Sequence, residues 1–246
     1  MVDIHCHILP EVDDGAEDLF EALEMAHTAA LCGVTDVVAT SHFRGDGENL
    51  PRLVLLERQF RLLEDSLRRE WIPVRLHLGA EILCTGETVA LARAGKLPTL
   101  GDTGYVLCEF FFDESFEYMD ELLTEIAMAG YRPVVAHPER YLALRRDPGL
   151  IRHWFRRGYV IQVNKGSVLG AFGPAVQATA HWLLDRGFVH VLASDAHSAH
   201  RRTTDLERLR EWLADRYPGE YVRLLLEENP GRLLRNREMV PTRSFA

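Results

Sequence analysis

The sequence has few cysteines, and no two of them stand at the spacing of a metal or redox motif. The four cysteines lie far apart, at positions 6, 32, 84 and 108, with no CxxC pair. This separation excludes a zinc knuckle and gives no sign of the disulfide framework of small secreted domains. We therefore expect a protein of a reducing compartment whose chemistry does not depend on paired sulfur.

Long apolar runs and an excess of positive charge are also missing. No segment is apolar over the roughly 20 residues that a membrane-spanning helix needs. No signal peptide is recognisable, and cleavage of a leader would remove His5 and His7, so we expect a cytoplasmic protein without membrane insertion. The 28 basic and 37 acidic residues give a formal net charge of −9, which disfavours nucleic acid as a partner.

No linker-like segment divides the chain, so residues 1–246 are predicted to form a single domain. Helical segments with apolar residues three and four apart alternate with strand-like segments from end to end. Such alternation predicts right-handed βαβ units and a parallel sheet. Seven repeats with polar groups at one end favour an α/β fold closed into a TIM-like barrel, with an open doubly wound sheet as the alternative.

Side chains that can bind metal recur where the strand-like segments end. Six of the seven segments end in, or within two residues of, a His, Asp or Glu, and the segment ending near Asn164 is the exception. The first, VDIHCHI, places His5 and His7 on one face because strand side chains alternate. The C-terminal ends of barrel strands meet at one rim, so we expect these groups in one site.

Five histidines and four carboxylates make up the predicted ligand set. A lone His at a strand end is usually a packing residue, but recurrence at equivalent positions favours metal binding. Nitrogen and oxygen donors without sulfur suit manganese, zinc or iron, and nine donors exceed the needs of one ion. We expect two or three divalent ions sharing a carboxylate, held by His5, His7, Asp14, His42, Glu81, Glu109, His137, Asp195 and His197.

Eight motifs spread along the chain match one family: DIHCHILPEVDDGAED, TSHF, GAEI, YVLCEF, AHPERY, NKGSVLGAFG, SDAH and ENPGRLLRN. From Met1 to about Asn236 the sequence closely resembles the bacterial PHP-domain tyrosine-protein phosphatases. These are manganese-dependent enzymes associated with the tyrosine kinases of capsule and exopolysaccharide synthesis. The resemblance implies a distorted (β/α)7 barrel with a trinuclear metal site at the C-terminal ends of the strands.

The resemblance also implies a role for each ligand. One ion would be held by His5, His7, Glu81 and Asp195, a second by Glu81, Glu109 and His137, and a third by Asp14, His42 and His197. Two positions depart from the family pattern, Glu11 in place of glycine and Ser41 in place of proline, and neither is a ligand.

Two arginines are implied as catalytic contacts to the phosphate. Arg140 lies in HPER, and Arg202 follows Asp195 by seven residues, with the adjacent Arg201 as the alternative. Several aromatic residues lie near the predicted rim and could flank the aromatic ring of a substrate, although ordinary packing is the simpler explanation for most of them. They are Phe43, Phe111, Phe112, Tyr141 and Phe172.

The expected reaction is hydrolysis of phosphotyrosine on a protein, a tyrosine kinase of polysaccharide synthesis, by a hydroxide that bridges two metal ions. The phenol leaving group has a pKa of about 10, so the need for a general acid is modest, and none is assigned. A thiolate mechanism is excluded, because the positions six residues after the cysteines are not arginine but Val12, Val38, Ala90 and Glu114.

The sequence is also compatible with other functions, and it does not define the oligomeric state. A small-molecule PHP phosphatase, such as one that acts on histidinol phosphate, would share the metal ligands and differ in its pocket. A non-catalytic, metal-stabilised module that binds a partner would keep its ions without hydrolysis. An amidohydrolase is disfavoured, because it would usually carry a modified lysine where this chain has Glu109.

Overall fold

Strands and helices alternate along the chain in this computed structural model, which describes residues 1–45 and 49–243. The strands are β1 (Val2–Cys6), β2 (Asp36–Ala39), β3 (His42–Phe43), β4 (Arg75–Leu78), β5 (Glu81–Leu83), β6 (Tyr105–Glu109), β7 (Arg132–Ala136), β8 (Val160–Asn164) and β9 (Val191–Ala193). The helices are α1 (Leu19–Leu31), α2 (Asn49–Arg69), α3 (Gly86–Arg93), α4 (Phe116–Met128), α5 (Leu142–Arg146), α6 (Ile151–Arg156), α7 (Lys165–Val168), α8 (Pro174–Leu184), α9 (Glu207–Ala214), α10 (Gly219–Arg223) and α11 (Asn229–Leu234).

The described strands pair in parallel and form two sheets. One sheet has the order β1-β2-β4, and the other has the order β3-β5-β6-β7-β8-β9. Backbone contacts link β1 to the end of β9, since Cys6 bridges Ala196 and the Asp195 N–H donates to the His5 carbonyl at 2.9 Å. The predicted α/β fold with parallel strands is therefore confirmed.

Two of the predicted strands are each broken into a pair. The segment that ends at His42 contains β2 and β3, and the segment that ends at Glu81 contains β4 and β5. Gly79 lies in the second break, where an added Cβ would come within 2.9 Å of a methyl carbon of Val38. The breaks transfer the chain between sheets and pair His42 with Glu81 in the β3–β5 register.

Most strand residues outside β4 are buried, on both sides of the sheets, which explains the nearly continuous apolar runs in the sequences of these strands. One side packs against the helices in a large core, to which α1, α2 and α4 contribute Met25, Leu63 and Leu123. The other side forms a smaller cluster between strands, which includes Ile4, Val134 and other residues of β1, β2, β6, β7, β8 and β9. The site lies at the C-terminal ends of these strands.

Among the helices in the described part of the chain, none combines the length and the apolar character needed to cross a membrane.

Candidate metal centre

All nine predicted ligand residues converge at the C-terminal ends of the strands. Glu81 is the residue at which the histidines meet: its carboxylate oxygens lie 3.3 Å from His5 Nε2, 3.2 Å from His7 Nε2 and 2.7 Å from His137 Nε2. Asp195 Oδ1 approaches the same nitrogen of His5, 3.5 Å from Nε2. These five side chains are buried.

A second set of donors surrounds the outer face of His7. Candidate ligand atoms of His7, Asp14, His42 and His197 all lie within 4.8 Å of one another. Asp14 Oδ1 is 3.4 Å from His42 Nε2 and 3.6 Å from His197 Nε2. The rings of His7 and His197 stack with centroids 3.8 Å apart. Asp14 is exposed, so this end of the cluster opens to solvent.

The opposite nitrogen of His42 faces two carboxylates. Its Nδ1 lies 2.9 Å from Glu109 Oε1 and 3.3 Å from Glu81 Oε2. Donor atoms of these three residues also fall within 4.8 Å of one another, as do those of His5, His7 and Glu81. Each of His7, His42 and Glu81 belongs to two of these three donor groups. Such overlap is suited to neighbouring cations bridged by a carboxylate.

The carboxylates govern the proton affinity of the inner imidazoles. Burial by itself would lower the pKa of His5, but the negative charges of Glu81 and Asp195 raise it to about 9. Burial likewise opposes protonation of His7, and the hydrogen bonds to Asp13 and Glu81 raise its pKa to about 10. Burial and the charge of His7 lower the pKa of His197 to about 3. The carboxylates around His5 and His7 therefore favour positive charge in this buried part of the cluster.

The donor set fits divalent metal ions. It offers imidazole nitrogens and carboxylate oxygens, the ligands that suit manganese, zinc and iron. Glu81 and Asp195 are both buried carboxylates, and burial without compensating positive charge would be costly. Cys6, between His5 and His7, is buried in the strand–helix core and offers no sulfur to the cluster.

Asp13, which was not among the predicted site residues, contacts the side of His7 that faces away from the cluster. Its Oδ2 lies 2.9 Å from His7 Nδ1 and accepts a 2.8 Å hydrogen bond from the His42 backbone N–H. The hydrogen bond and positive charge of His7 outweigh burial and hold the pKa of this carboxyl well below its usual range. Asp13 directs the other nitrogen of His7 towards the donors, a common arrangement behind metal-binding histidines. The sequence signal that could have identified Asp13 was its position in the VDDG motif, next to the predicted ligand Asp14.

A buried amide chain supports the opposite side. Gln162 Oε1 is 3.0 Å from His5 Nδ1, and Gln162 Nε2 donates to Asn164 Oδ1 at 2.7 Å. Asn164 Nδ2 in turn donates to Asp195 Oδ2. β8 corresponds to the predicted segment without a charged end, and it supplies the amides that orient His5 on β1 and Asp195 after β9. Gln162 and Asn164 are two residues apart in VIQVN and so share one face of the strand, which was the sequence signal that could have identified them.

Two of the predicted ligand residues adopt left-handed backbone conformations. His137 has φ of 35° and Asp195 has φ of 50°. Such conformations are unfavourable for residues with a Cβ and concentrate at functional sites. The turn at His137 follows Ala136, whose side chain faces the inner strand cluster, so strand parity alone would have placed His137 on the other side.

Both predicted arginines lie beside Asp195. Arg202 Nη2 is 2.5 Å and Arg140 Nη1 is 3.5 Å from Asp195 Oδ2. Arg201 is exposed, which favours Arg202 of the two. An open cleft of about 830 Å³ reaches the cluster, and its lining includes Asp14, His197, Arg201 and Arg202.

The predicted aromatic residues divide between core and rim. Phe43 and Tyr141 are buried in the strand–helix core and cannot contact a substrate. Phe111 and Phe112 are exposed at 59% and 45%, which leaves them free to do so. Phe172 is half-buried beside the arginines.

Comparison with known proteins agrees with this geometry. The family model described as "Capsular polysaccharide synthesis, CpsB/CapC" matches residues 1–235. The tyrosine-protein phosphatase YwqE of Bacillus subtilis is 36% identical over 238 residues, which cover 96% of this chain and 92% of YwqE. The tyrosine-protein phosphatase CpsB of Streptococcus pneumoniae is 29% identical over 239 residues, covering 95% of this chain and 98% of CpsB.

A solved structure from work on YwqE of Bacillus subtilis and CpsB of Streptococcus pneumoniae, described there as unique metal-dependent tyrosine phosphatases, has the same fold. It matches with a TM-score of 0.89 at 35% identity and covers 98% of this chain and 96% of the solved chain.

Proposed function

The chain belongs to the CpsB/CapC family of capsular polysaccharide synthesis, and we propose that it is a metal-dependent tyrosine-protein phosphatase. The proposal rests on the convergence of five histidines and four carboxylates, Glu81 among them, next to two arginines. Its substrate is a phosphotyrosine protein, and we propose a bacterial tyrosine kinase of polysaccharide synthesis.

We propose two or three divalent ions, manganese in preference to zinc or iron, and the nine converging residues as their ligands. His5, His7, Glu81 and Asp195 would hold one ion, Glu81, Glu109 and His137 a second, and Asp14, His42 and His197 a third. The short contact between His42 and Glu109 supports a further role for His42 between the second and third positions.

We also propose that residues 1–246 form one domain and that the two sheets are parts of a distorted (β/α)7 barrel. The hydrogen bond from Asp195 to His5 and the bridge between Cys6 and Ala196 support this, because they join the edges of the two sheets. Each broken strand, β2–β3 and β4–β5, would then count as one of the seven strands of the barrel.

Divalent ions bound by this donor set would lower the pKa of a coordinated water towards neutrality and neutralise phosphoryl oxygens. The protein's own groups supply the rest. Arg140 and Arg202 offer forked N–H donors for the phosphoryl oxygens at the edge of the cluster. Asp13, Gln162 and Asn164 fix the orientation of ligand side chains, so little reorganisation is needed during the reaction.

A phosphatase panel tests the proposal. Purified protein would be stripped with a chelator, reloaded with Mn²⁺, Zn²⁺, Fe²⁺ or Mg²⁺, and assayed on a phosphotyrosine peptide, the matching phosphoserine peptide and histidinol phosphate. We expect hydrolysis of phosphotyrosine that the chelator abolishes and Mn²⁺ restores. Preference for histidinol phosphate would instead identify a small-molecule phosphatase, and metal binding without hydrolysis of any substrate would identify a binding module.

A further inference from the structure

Phe172 contacts both arginines of the site. It lies in the NKGSVLGAFG segment, between α7 and α8. Its ring centroid is 4.5 Å from Arg140 Cζ and 5.6 Å from Arg202 Cζ. Both distances are within the range at which an aromatic ring attracts a cation. One side chain therefore faces the two groups proposed to bind phosphate.

Arg140 also has an aromatic ring on a second side. The Phe112 ring centroid lies 4.3 Å from Arg140 Cζ, so the guanidinium is close to two rings. Ring contacts restrain a guanidinium without using its N–H donors, which all lie in its plane. The arginine can thus be held in place while its donors stay available for phosphoryl oxygens.

Glycine in the same segment makes room for the Phe172 ring. A Cβ added to Gly166 would come within 2.8 Å of Phe172 Cε2. Gly173, which follows Phe172, has φ of 91°, a conformation that residues with a Cβ rarely adopt. The local sequence therefore fixes where the ring can lie.

We propose that Phe172 is a positioning residue for phosphate recognition, which aligns the guanidinium groups of Arg140 and Arg202 through its ring. This inference rests on the proposed function, because the arginines are taken to bind the phosphoryl group. Arg202 has Phe172 as its ring neighbour, whereas Arg140 has Phe112 as well. Loss of the Phe172 ring therefore disturbs both arginines, and loss of the Phe112 ring disturbs Arg140.

The first test separates the ring from its bulk. Phe172→Leu keeps an apolar side chain but removes the aromatic face, and Phe172→Tyr keeps the face. We expect Phe172→Leu to lower kcat/KM for a phosphotyrosine peptide about tenfold, with metal content unchanged, and Phe172→Tyr to stay near the wild type. Phe155→Leu is the matched control, since Phe155 is a half-buried phenylalanine that stacks on His190 away from the arginines. Equal activity of Phe172→Leu and the wild type would overturn the inference.

A second test asks whether Phe172 acts through the arginines. Phe172→Leu would be introduced into Arg140→Ala and into Arg202→Ala, each of which leaves one arginine in place. If the ring works by aligning them, its removal should cost less in each background than in the wild type, about threefold rather than tenfold. A tenfold loss in both backgrounds would mean that the ring acts independently of the arginines.

Binding of inorganic phosphate to the manganese-loaded protein distinguishes failure of this inference from failure of the proposed function. Calorimetry should show weaker phosphate binding in Phe172→Leu and normal binding in Phe172→Tyr and Phe155→Leu. If phosphate binding changes in this way but the protein does not cleave phosphotyrosine, the proposed function is wrong and the inferred role of Phe172 is supported. If the protein cleaves phosphotyrosine but phosphate binds equally well to the wild type and to Phe172→Leu, the inferred role of Phe172 is wrong and the proposed function is supported.

Discussion

The carboxylate of Asp13 lies 2.9 Å from His7 Nδ1, on the side of the imidazole that faces away from Glu81. This contact fixes the ring so that Nε2 faces the candidate metal site. The same carboxylate oxygen also accepts the backbone N–H of His42. A single side chain thus orients one proposed ligand and anchors the backbone of another.

Replacing Asp13 by Asn should weaken metal binding while the protein stays folded. The amide can still contact its neighbours but no longer offers a charged acceptor to His7, and loss of such support typically costs about 10- to 100-fold in metal affinity. Competition with a metal-binding dye measures the affinity. Asp65→Asn, on the exposed side of α2, is the matched control. Wild-type affinity in Asp13→Asn would show that Asp13 merely orders its loop.

Replacing His5 and His7 together by Ala should abolish phosphatase activity and reduce the bound metal. Both rings contact Glu81 in the buried part of the cluster, so their loss removes two neighbouring nitrogen donors. Metal analysis and circular dichroism would be measured with activity. The control is His27→Ala combined with His153→Ala, two exposed histidines on helices. An active, metal-loaded His5/His7 variant would refute the site assignment.

Arg202→Ala should lower kcat about 100-fold without loss of metal, because removing a single preorganised donor to developing charge has an effect of this order. Arg201→Ala should have little effect, since Arg201 is exposed whereas Arg202 Nη2 lies 2.5 Å from Asp195. Steady-state kinetics on a phosphotyrosine peptide compare the two variants. If Arg201→Ala is the damaging change, the assignment of the second arginine is wrong by one residue.

His190 should make the protein less stable in acid. Burial lowers the pKa of His190 to about 4, and its Nδ1 accepts the Ile161 backbone N–H at 3.0 Å. Between about pH 6.5 and about pH 4 the unfolded chain binds a proton at this imidazole and the folded protein does not. The neutral His190 therefore contributes stability above pH 6.5, which is lost as the pH falls towards 4.

Urea unfolding of the wild type and His190→Asn at pH 8 and pH 5 isolates this contribution. Asn keeps an acceptor for Ile161 but does not titrate, so the pH-dependent loss should be about 2 kcal/mol smaller in the variant. Comparing the two proteins cancels the titration of the metal-site histidines. Identical losses in both would show that His190 is protonated normally in the folded state.

The sequence predicted the type of fold and the chemistry of the site because both depend on local periodicity. Alternation within a strand places His5 and His7 on one face, and parallel strands between helices bring their C-terminal ends together. All nine predicted ligand residues meet at one place in the structure, although His137 reaches it through its left-handed backbone rather than through strand parity. The division of two predicted strands into β2–β3 and β4–β5 was not expected, because it depends on contacts between distant segments such as Gly79 and Val38.

The amino-acid sequence was enough to predict which donors are available and at which end of the strands they lie, since residue type and strand parity are properties of the local chain. The roles of residues outside that periodicity became visible in the folded chain. Folding places Asp13 beside His7, joins Gln162 to His5 and Asn164 to Asp195, turns His137 into the cluster through a left-handed backbone, and brings Phe172 to the arginines. The physical reason is that hydrogen bonds and ring contacts act over only a few ångströms, and loops that are distant in sequence reach that range only after the sheets have packed.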